Sequence, residues 1–476
     1  MSFSPAYAAL CSVGLRLRYA YPNAMPAPVI TSQRSTLFEQ IKSSLENYFE
    51  FSRLNTDWKT EVLAGFTTFI TMAYIVFVNP SILKDAGMPL AAVSAATCIA
   101  AALGTLLMGV FARYPIALAP GMGLNAYFTY SVVKGMGVPW QTALGAVFIS
   151  GVAFLLLTAL GIRQWIISAI PAELYAALSA GIGLFIAFIG LRNAGLIQPS
   201  ASTMVTIGNL RNPNAALAAF GILLIAILQA WKVRAAILAG ILGTTLVGAL
   251  FGLVQWHPQA FRWEDMSATM FKLDIKSALG IGLLEIVFVF LFVDLFDNVG
   301  TLVAISKKAN LQERDGTIPR VNRILYSDAI ATIAGSLSGT TTVVSYVESA
   351  AGVAAGGRSG VTSVVTGLLF IVALFAAPLI GAVPAAATAP ALVVVGGLML
   401  SSIGEIPWDD VCVAFPAFLT LIMIPLTFSI ANGLAFGLTS YVLIHLACGR
   451  GKEVPRAAYP LAFVLLIRFI YMGSRL

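Results

Sequence analysis

Charge is scarce in this 476-residue chain: aspartate, glutamate, lysine and arginine together make up 10% of it, against about 25% in a soluble domain. That shortage excludes a water-facing surface over most of its length. Histidine occurs twice, as His257 and His445. The two are far apart and have no neighbouring ligand pattern, so a histidine triad or metal centre has no footing. The four cysteines, Cys11, Cys98, Cys412 and Cys448, are scattered, with no CxxC pair and no metal spacing. Neither a metal site nor a disulfide framework is legible, and no nucleophile–base constellation marks an enzyme; catalytic residues are therefore not expected. The formal net charge of +7 does not imply nucleic acid, because membrane proteins collect basic residues in their cytoplasmic loops.

What the chain has in abundance is hydrocarbon. Of its residues 59% are apolar, and apolar runs of roughly 17–25 residues recur along it, each sufficient to cross a bilayer as a helix. The expected fold is an all-α polytopic membrane protein of fourteen spans. They fall near 61–82, 91–111, 115–134, 140–161, 171–190, 215–231, 235–255, 279–305, 323–338, 346–357, 360–380, 388–403, 411–427 and 430–448. Residues 1–35 read as a disordered extension, 36–56 as an amphipathic segment lying on the membrane, and 450–476 as a cytoplasmic or interfacial tail. With both termini inside, 21 of the 28 basic residues fall in cytoplasmic segments. Only Lys84, Lys134, Arg192, Arg211, Arg262, Lys272 and Lys276 fall outside. The positive-inside rule asks for that division.

Seven is odd, so two halves of seven spans must run in opposite directions, as an inverted repeat. Two stretches in corresponding positions support this. AALGTLLMGVFARYPIALAPGMGLNAYF (101–128) passes from a small-residue helix through an extended stretch to Pro/Gly and a second helix; AIATIAGSLSGTTTVVSYVESAAGVAAGG (329–357) does the same. Short extended stretches are thus expected to break spans 3 and 10. Interrupted spans in matching positions are the best sequence pointer to a transporter's binding site, although Gly-rich packing helices would look similar.

At the first break stand Gly123 and Asn125, and at the second Val347, Glu348, Ser349 and Ala350. Glu348 falls near the start of a half-helix, where the dipole favours a carboxylate. In GLLEIVFVFLFVDLFDNVGTLVAIS (282–306), Asp294, Asp297 and Thr301 share one helix face, whereas Glu285 lies about 180° around from Asp294. Asp328 opens the ninth span and reads either as a helix-capping acid or as a site residue. Carboxylates and an amide suit a neutral planar ligand rich in N–H donors, and an acid at membrane depth can carry a coupled proton. No other cofactor is expected.

The segments TTFITMAYIVFVNPSIL (67–83), ALAPGMGLNAYFTYSVV (117–133), FVDLFDNVGTLVA (292–304), YSDAIATIAGSLSGTTTVVSYVESAAGVAAGGRSG (326–360) and PALVVVGGLML (390–400) together resemble the AzgA-like purine permeases. These belong to the nucleobase:cation symporter 2 (nucleobase–ascorbate transporter) superfamily. The likeness covers about residues 45–450. It implies a core domain, 57–165 with 277–383 (spans 1–4 and 8–11), and a gate domain, 166–276 with 384–449 (spans 5–7 and 12–14). It also implies proton-coupled uptake of adenine, guanine or hypoxanthine across the cytoplasmic (inner) membrane, with homodimers through the gate domains common in the superfamily. The resemblance puts substrate contacts at Gly123, Asn125, Asp294 and Glu348 with its neighbours, and proton coupling or site organisation at Asp297, Asp328 and Thr301. The competing class on the same architecture is an anion transporter of the sulfate-permease type, which carboxylates at the site argue against.

Overall fold

A computed structural model describes residues 37–161, 171–254, 263–280, 284–313, 318–375 and 382–473. The expected extension 1–35, and His257, lie outside the described residues. The first element is the helix α1 (Leu37–Tyr48), within the segment 36–56. The chain then builds α2 (Trp58–Met72), α3 (Ile75–Asp85), α4 (Leu90–Leu107), β1 (Leu118–Pro120), α5 (Met122–Ala126), α6 (Trp140–Ala159), α7 (Ala172–Asn193), β2 (Ile197–Ser200), β3 (Met204–Ile207), α8 (Pro213–Ala230), α9 (Ala236–Leu250), α10 (Leu284–Lys308), α11 (Val321–Ser338), β4 (Val343–Ser345), α12 (Ser349–Ala354), α13 (Gly360–Leu374), α14 (Ala385–Met399), α15 (Val411–Thr427), α16 (Ile430–Ala447) and α17 (Ala458–Gly473). Among the described residues, eight helical segments are long and apolar enough to cross a membrane. The protein is a multi-pass helical membrane protein.

Local chemistry sets the boundaries. Asp57 caps α2 by accepting from the Thr60 amide at 2.8 Å, and Asn212 caps α8, whose first residue is Pro213. Gly339, at φ 98°, ends α11 in the left-handed region where a side chain would be strained. The loop after α7 differs from expectation: 197–207 forms a two-stranded hairpin, with Ile197 opposite Ile207. The β-branched run Val205-Thr206-Ile207 is its sequence signal, and it is too short to stand out beside the long apolar runs.

At the centre, β1 and β4 pair antiparallel, with Leu118 opposite Ser345, Ala119 opposite Val344 and Pro120 opposite Val343. Both strands are fully buried, so their outer edges need partners. One threonine serves each edge. Thr105 on α4 accepts from Leu118 N and donates to Leu118 O, both at 2.9 Å. Thr332 on α11 accepts from Val343 N at 3.2 Å and donates to Val343 O at 3.0 Å. The strands connect into short helices, α5 and α12, and from α5 the chain continues through wider-wound turns over Tyr127–Gly135.

The helices pack in two sets. In one, α13 lies on α2 and α4, and α11 on α4 and α6; in the other, α7 lies on α14 and α15, and α8 on α9 and α14. Close approach inside the first set needs glycine. A Cβ on Gly352 of α12 would stand 2.0 Å from Thr68 Oγ1 of α2.

One buried carboxylate in this set was not anticipated. Glu61 of α2 is fully buried and reaches the start of α13. It accepts from the Arg358 amide at 2.9 Å, the Ser359 amide at 3.1 Å, Thr362 N at 3.3 Å and Oγ1 at 2.5 Å, and the Thr56 hydroxyl at 2.8 Å. Each donor left unpaired costs about 1–3 kcal/mol. Glu61→Ala is therefore expected to lower the melting temperature in detergent and the amount in the membrane, with Glu61→Gln much milder. Equal melting of Ala variant and parent would contradict this role.

Candidate functional site

The site is built around the β1–β4 crossing. Glu348 occupies the N-cap position of α12, immediately beyond β4, and its Oε1 accepts from the Tyr74 hydroxyl at 2.6 Å. Tyr74 sits in the break between α2 and α3 and is almost wholly buried. From the other side, the Tyr346 hydroxyl donates to Pro120 O at 2.5 Å, closing β4 against β1. Val347 is 59% exposed and Glu348 half-buried. Glu348 is thus partly exposed, next to exposed Val347, while the strand that precedes it is anchored in the interior.

The acids of α10 divide by partner. Asp294 is buried and accepts from Asn298 Nδ2 at 2.8 Å and from the Thr332 hydroxyl at 3.4 Å. Asn298 in turn accepts from the Ser345 amide at 2.7 Å, and the Ser345 hydroxyl donates to Asp328 Oδ1 at 3.1 Å. Asp294, Asn298, Thr332 and Asp328 therefore form one hydrogen-bonded cluster that grips β4. Asp297 stands apart from it. Its carboxylate is half-buried and has no hydrogen-bond partner among the described residues; it lies within electrostatic reach of Tyr346, as does Glu348. Thr301, one turn on, is half-buried beside exposed Gly300. Glu285 lies two and a half turns away at the start of α10.

Asn125 is held in a different network. Its Nδ2 donates to Asn79 Oδ1 at 2.6 Å, and its Oδ1 accepts from the Thr341 hydroxyl. Asn79 donates onward to Thr97 at 2.7 Å and Thr340 at 3.0 Å. The network ties α3, α4, α5 and the extended residues Thr340 and Thr341 leading into β4 together in the interior. Ser349 is also committed, accepting from the Ala117 amide at 2.9 Å, while Ala350 is half-buried. Gly123 packs against α7, where a Cβ would stand 2.6 Å from Ile182.

The structure thus leaves Glu348, Asp297 and Thr301 partly exposed and Val347 exposed, and places Asn125, Asp294, Asp328 and Ser349 in buried hydrogen-bond clusters. The sequence reading missed Tyr74, Asn79 and Asn298. Asn79 carried a signal, an amide before Pro80 inside an apolar helix. Asn298 follows Asp294 by one turn, a spacing that lets the two bond.

A family model matches residues 59–436, and its description is the Permease family. The chain belongs to that family. Its members are transporters, so this permease is not an enzyme. It is 52% identical over 435 residues to a putative permease of Methanocaldococcus jannaschii, covering 91% of this chain and all of that one. It is 42% identical over 430 residues to an adenine permease of Escherichia coli (90% and 97% covered), and 45% identical over 440 residues to a guanine/hypoxanthine permease of Bacillus subtilis (90% and 100%). Among solved structures, the permease is similar in fold to the transmembrane domain of a cyanobacterial bicarbonate transporter, BicA. That TM-score is 0.59 at 16% identity, covering 80% of this chain and 97% of that one.

Proposed function

We propose that the permease takes up purine nucleobases, adenine, guanine or hypoxanthine, with protons across the cytoplasmic membrane by alternating access, with both termini inside. The observation that carries this reading is Glu348, partly exposed at the head of α12, hydrogen-bonded to Tyr74 and, like Asp297, within electrostatic reach of Tyr346. A carboxylate there can accept from a ring N–H or an exocyclic amine. The identities to an adenine and a guanine/hypoxanthine permease support the same class of substrate. Anion transport on this fold is disfavoured, because its support is a likeness of fold at 16% identity and carboxylates at the site repel anions.

The seven-plus-seven inverted repeat is supported by Thr105 and Thr332. They stand on helices seven spans apart in the proposed order and close the edges of β1 and β4 in the same manner. The two packing sets fit a core domain of spans 1–4 and 8–11 and a gate domain of spans 5–7 and 12–14. Asp294, Asp328 and Asn125 then organise the broken strands, Glu348 binds the base, and Asp297 carries the proton.

Uptake of radiolabelled adenine and hypoxanthine in permease-deficient cells, competed by a panel of nucleobases and by bicarbonate and sulfate, tests the substrate class. Competition by purines alone is expected; competition by the anions would replace this reading with the other. Tyr74→Phe is expected to raise KM about fivefold, since a hydrogen bond that orients a charged group contributes about 1 kcal/mol or more. The amount in the membrane should not change. An unaltered KM would remove Tyr74 from the site.

A further inference from the structure

Two cysteines that the sequence separates widely meet at one end of a helix hairpin. Cys412 is the second residue of α15, and Cys448 directly follows α16. These helices run antiparallel around a tight turn at Phe428 and Ser429 and pack along their length. The start of one is thereby brought to the end of the other, and the sulfurs stand 3.3 Å apart. Cys412 is buried and Cys448 exposed, and Cys98 is buried elsewhere.

A separate ionic cluster holds the two backbones together. Asp410 caps α15 by accepting from the Cys412 amide at 3.0 Å. Arg450, two residues beyond Cys448, grips Asp410 at 2.7 and 3.0 Å and Glu453 at 2.7 Å. The guanidinium keeps both carboxyl groups below the usual range, so the clamp stays ionised at neutral pH. It fastens the turn carrying Cys448 to the helix start carrying Cys412.

We infer that Cys412 and Cys448 form a reversible thiol–disulfide pair, a modification site remote from Glu348. Bonding requires the sulfurs to close to about 2.05 Å, a short movement for a residue in an exposed turn. With glutathione disulfide as oxidant, the Cys448 thiolate attacks one sulfur and releases one glutathione thiolate. The Cys412 thiolate then attacks the Cys448 sulfur of the mixed disulfide and releases the second. Two protein thiols are oxidised, one glutathione disulfide is reduced to two glutathiones, and the two protons lost by the protein thiols are taken up by the released glutathione thiolates. In a reducing compartment the dithiol is the resting form and the bond appears only under oxidation.

The test treats the full-length permease in membranes with glutathione disulfide, blocks remaining thiols with N-ethylmaleimide, and maps peptides without reduction. The expected product joins the Cys412 and Cys448 peptides with the loss of two hydrogens, leaves Cys98 a thiol, and is reversed by dithiothreitol. Cys412→Ser should instead leave glutathione attached to Cys448, with uptake under reducing conditions unchanged. Arg450→Ala should lower the yield of the joined peptides several-fold. If the parent protein accumulates glutathione on Cys448 while Cys412 remains free to alkylate after denaturation, the pairing is wrong.

Discussion

Glu348→Gln is expected to reduce purine uptake by at least about tenfold and toward a hundredfold, with the protein still present in the membrane. Hydrogen bonds to a charged group contribute about 1.5–3 kcal/mol, and each ~1.4 kcal/mol is a factor of ten. The amide keeps the shape of the side chain and one oxygen to accept from Tyr74 (2.6 Å in the parent), so α12 and its packing should survive. What is lost is the charge of the carboxylate at the N-cap position of α12, beside the Tyr74 hydroxyl. Kinetics of radiolabelled uptake, normalised to membrane content, measure the effect. Parental uptake by the variant would remove the centre of the proposed site.

Asp297→Asn is expected to separate binding from accumulation. Asp297 lacks a hydrogen-bond partner among the described residues, so its replacement breaks no contact there. The variant should still bind purine and exchange it across the membrane, but should not concentrate it, because the amide cannot take up and release a proton. Asp294→Ala should behave differently. It removes the acceptor for Asn298, and through Asn298 it loosens the Ser345 amide, while the Thr332 hydroxyl keeps Val343 O. Lower protein yield and lower melting temperature are expected there, at about 1–3 kcal/mol for each donor stranded in the interior. Counterflow, net accumulation and melting, measured on both variants, distinguish the two acids. Accumulation retained by Asp297→Asn would move the proton elsewhere.

The contrast between these two acids shows where sequence reasoning stopped. Helical periodicity places Asp294 and Asp297 on one side of α10 and Glu285 far from both, and the structure agrees. Periodicity is blind to neighbours, however. Thr332 and Asn298 claim Asp294, while Asp297 turns toward the Tyr346–Glu348 segment. The broken spans were legible because Pro120, Gly121 and the β-branched run TTTVV cannot sit comfortably in a helix. Their pairing in register, and the threonines that close their edges, depend on long-range contacts that no local pattern carries. Asn125 is the sharpest case. An amide beside a break reads as a ligand contact, and no local pattern shows that one of its N–H groups bonds Asn79 and its oxygen accepts from Thr341. Tyr74 was hidden for the opposite reason, since one tyrosine in an apolar helix has no signature until Glu348 is placed beside it.

The central claim is that protons drive purine uptake through the Glu348–Asp297 region. Purified permease in proteoliposomes with an alkaline interior, given radiolabelled adenine or hypoxanthine outside, tests it most directly. The account predicts accumulation above the external concentration, collapse of that gradient on addition of a protonophore, and no accumulation by Asp297→Asn despite retained exchange. Accumulation indifferent to the pH gradient and to the protonophore would contradict it.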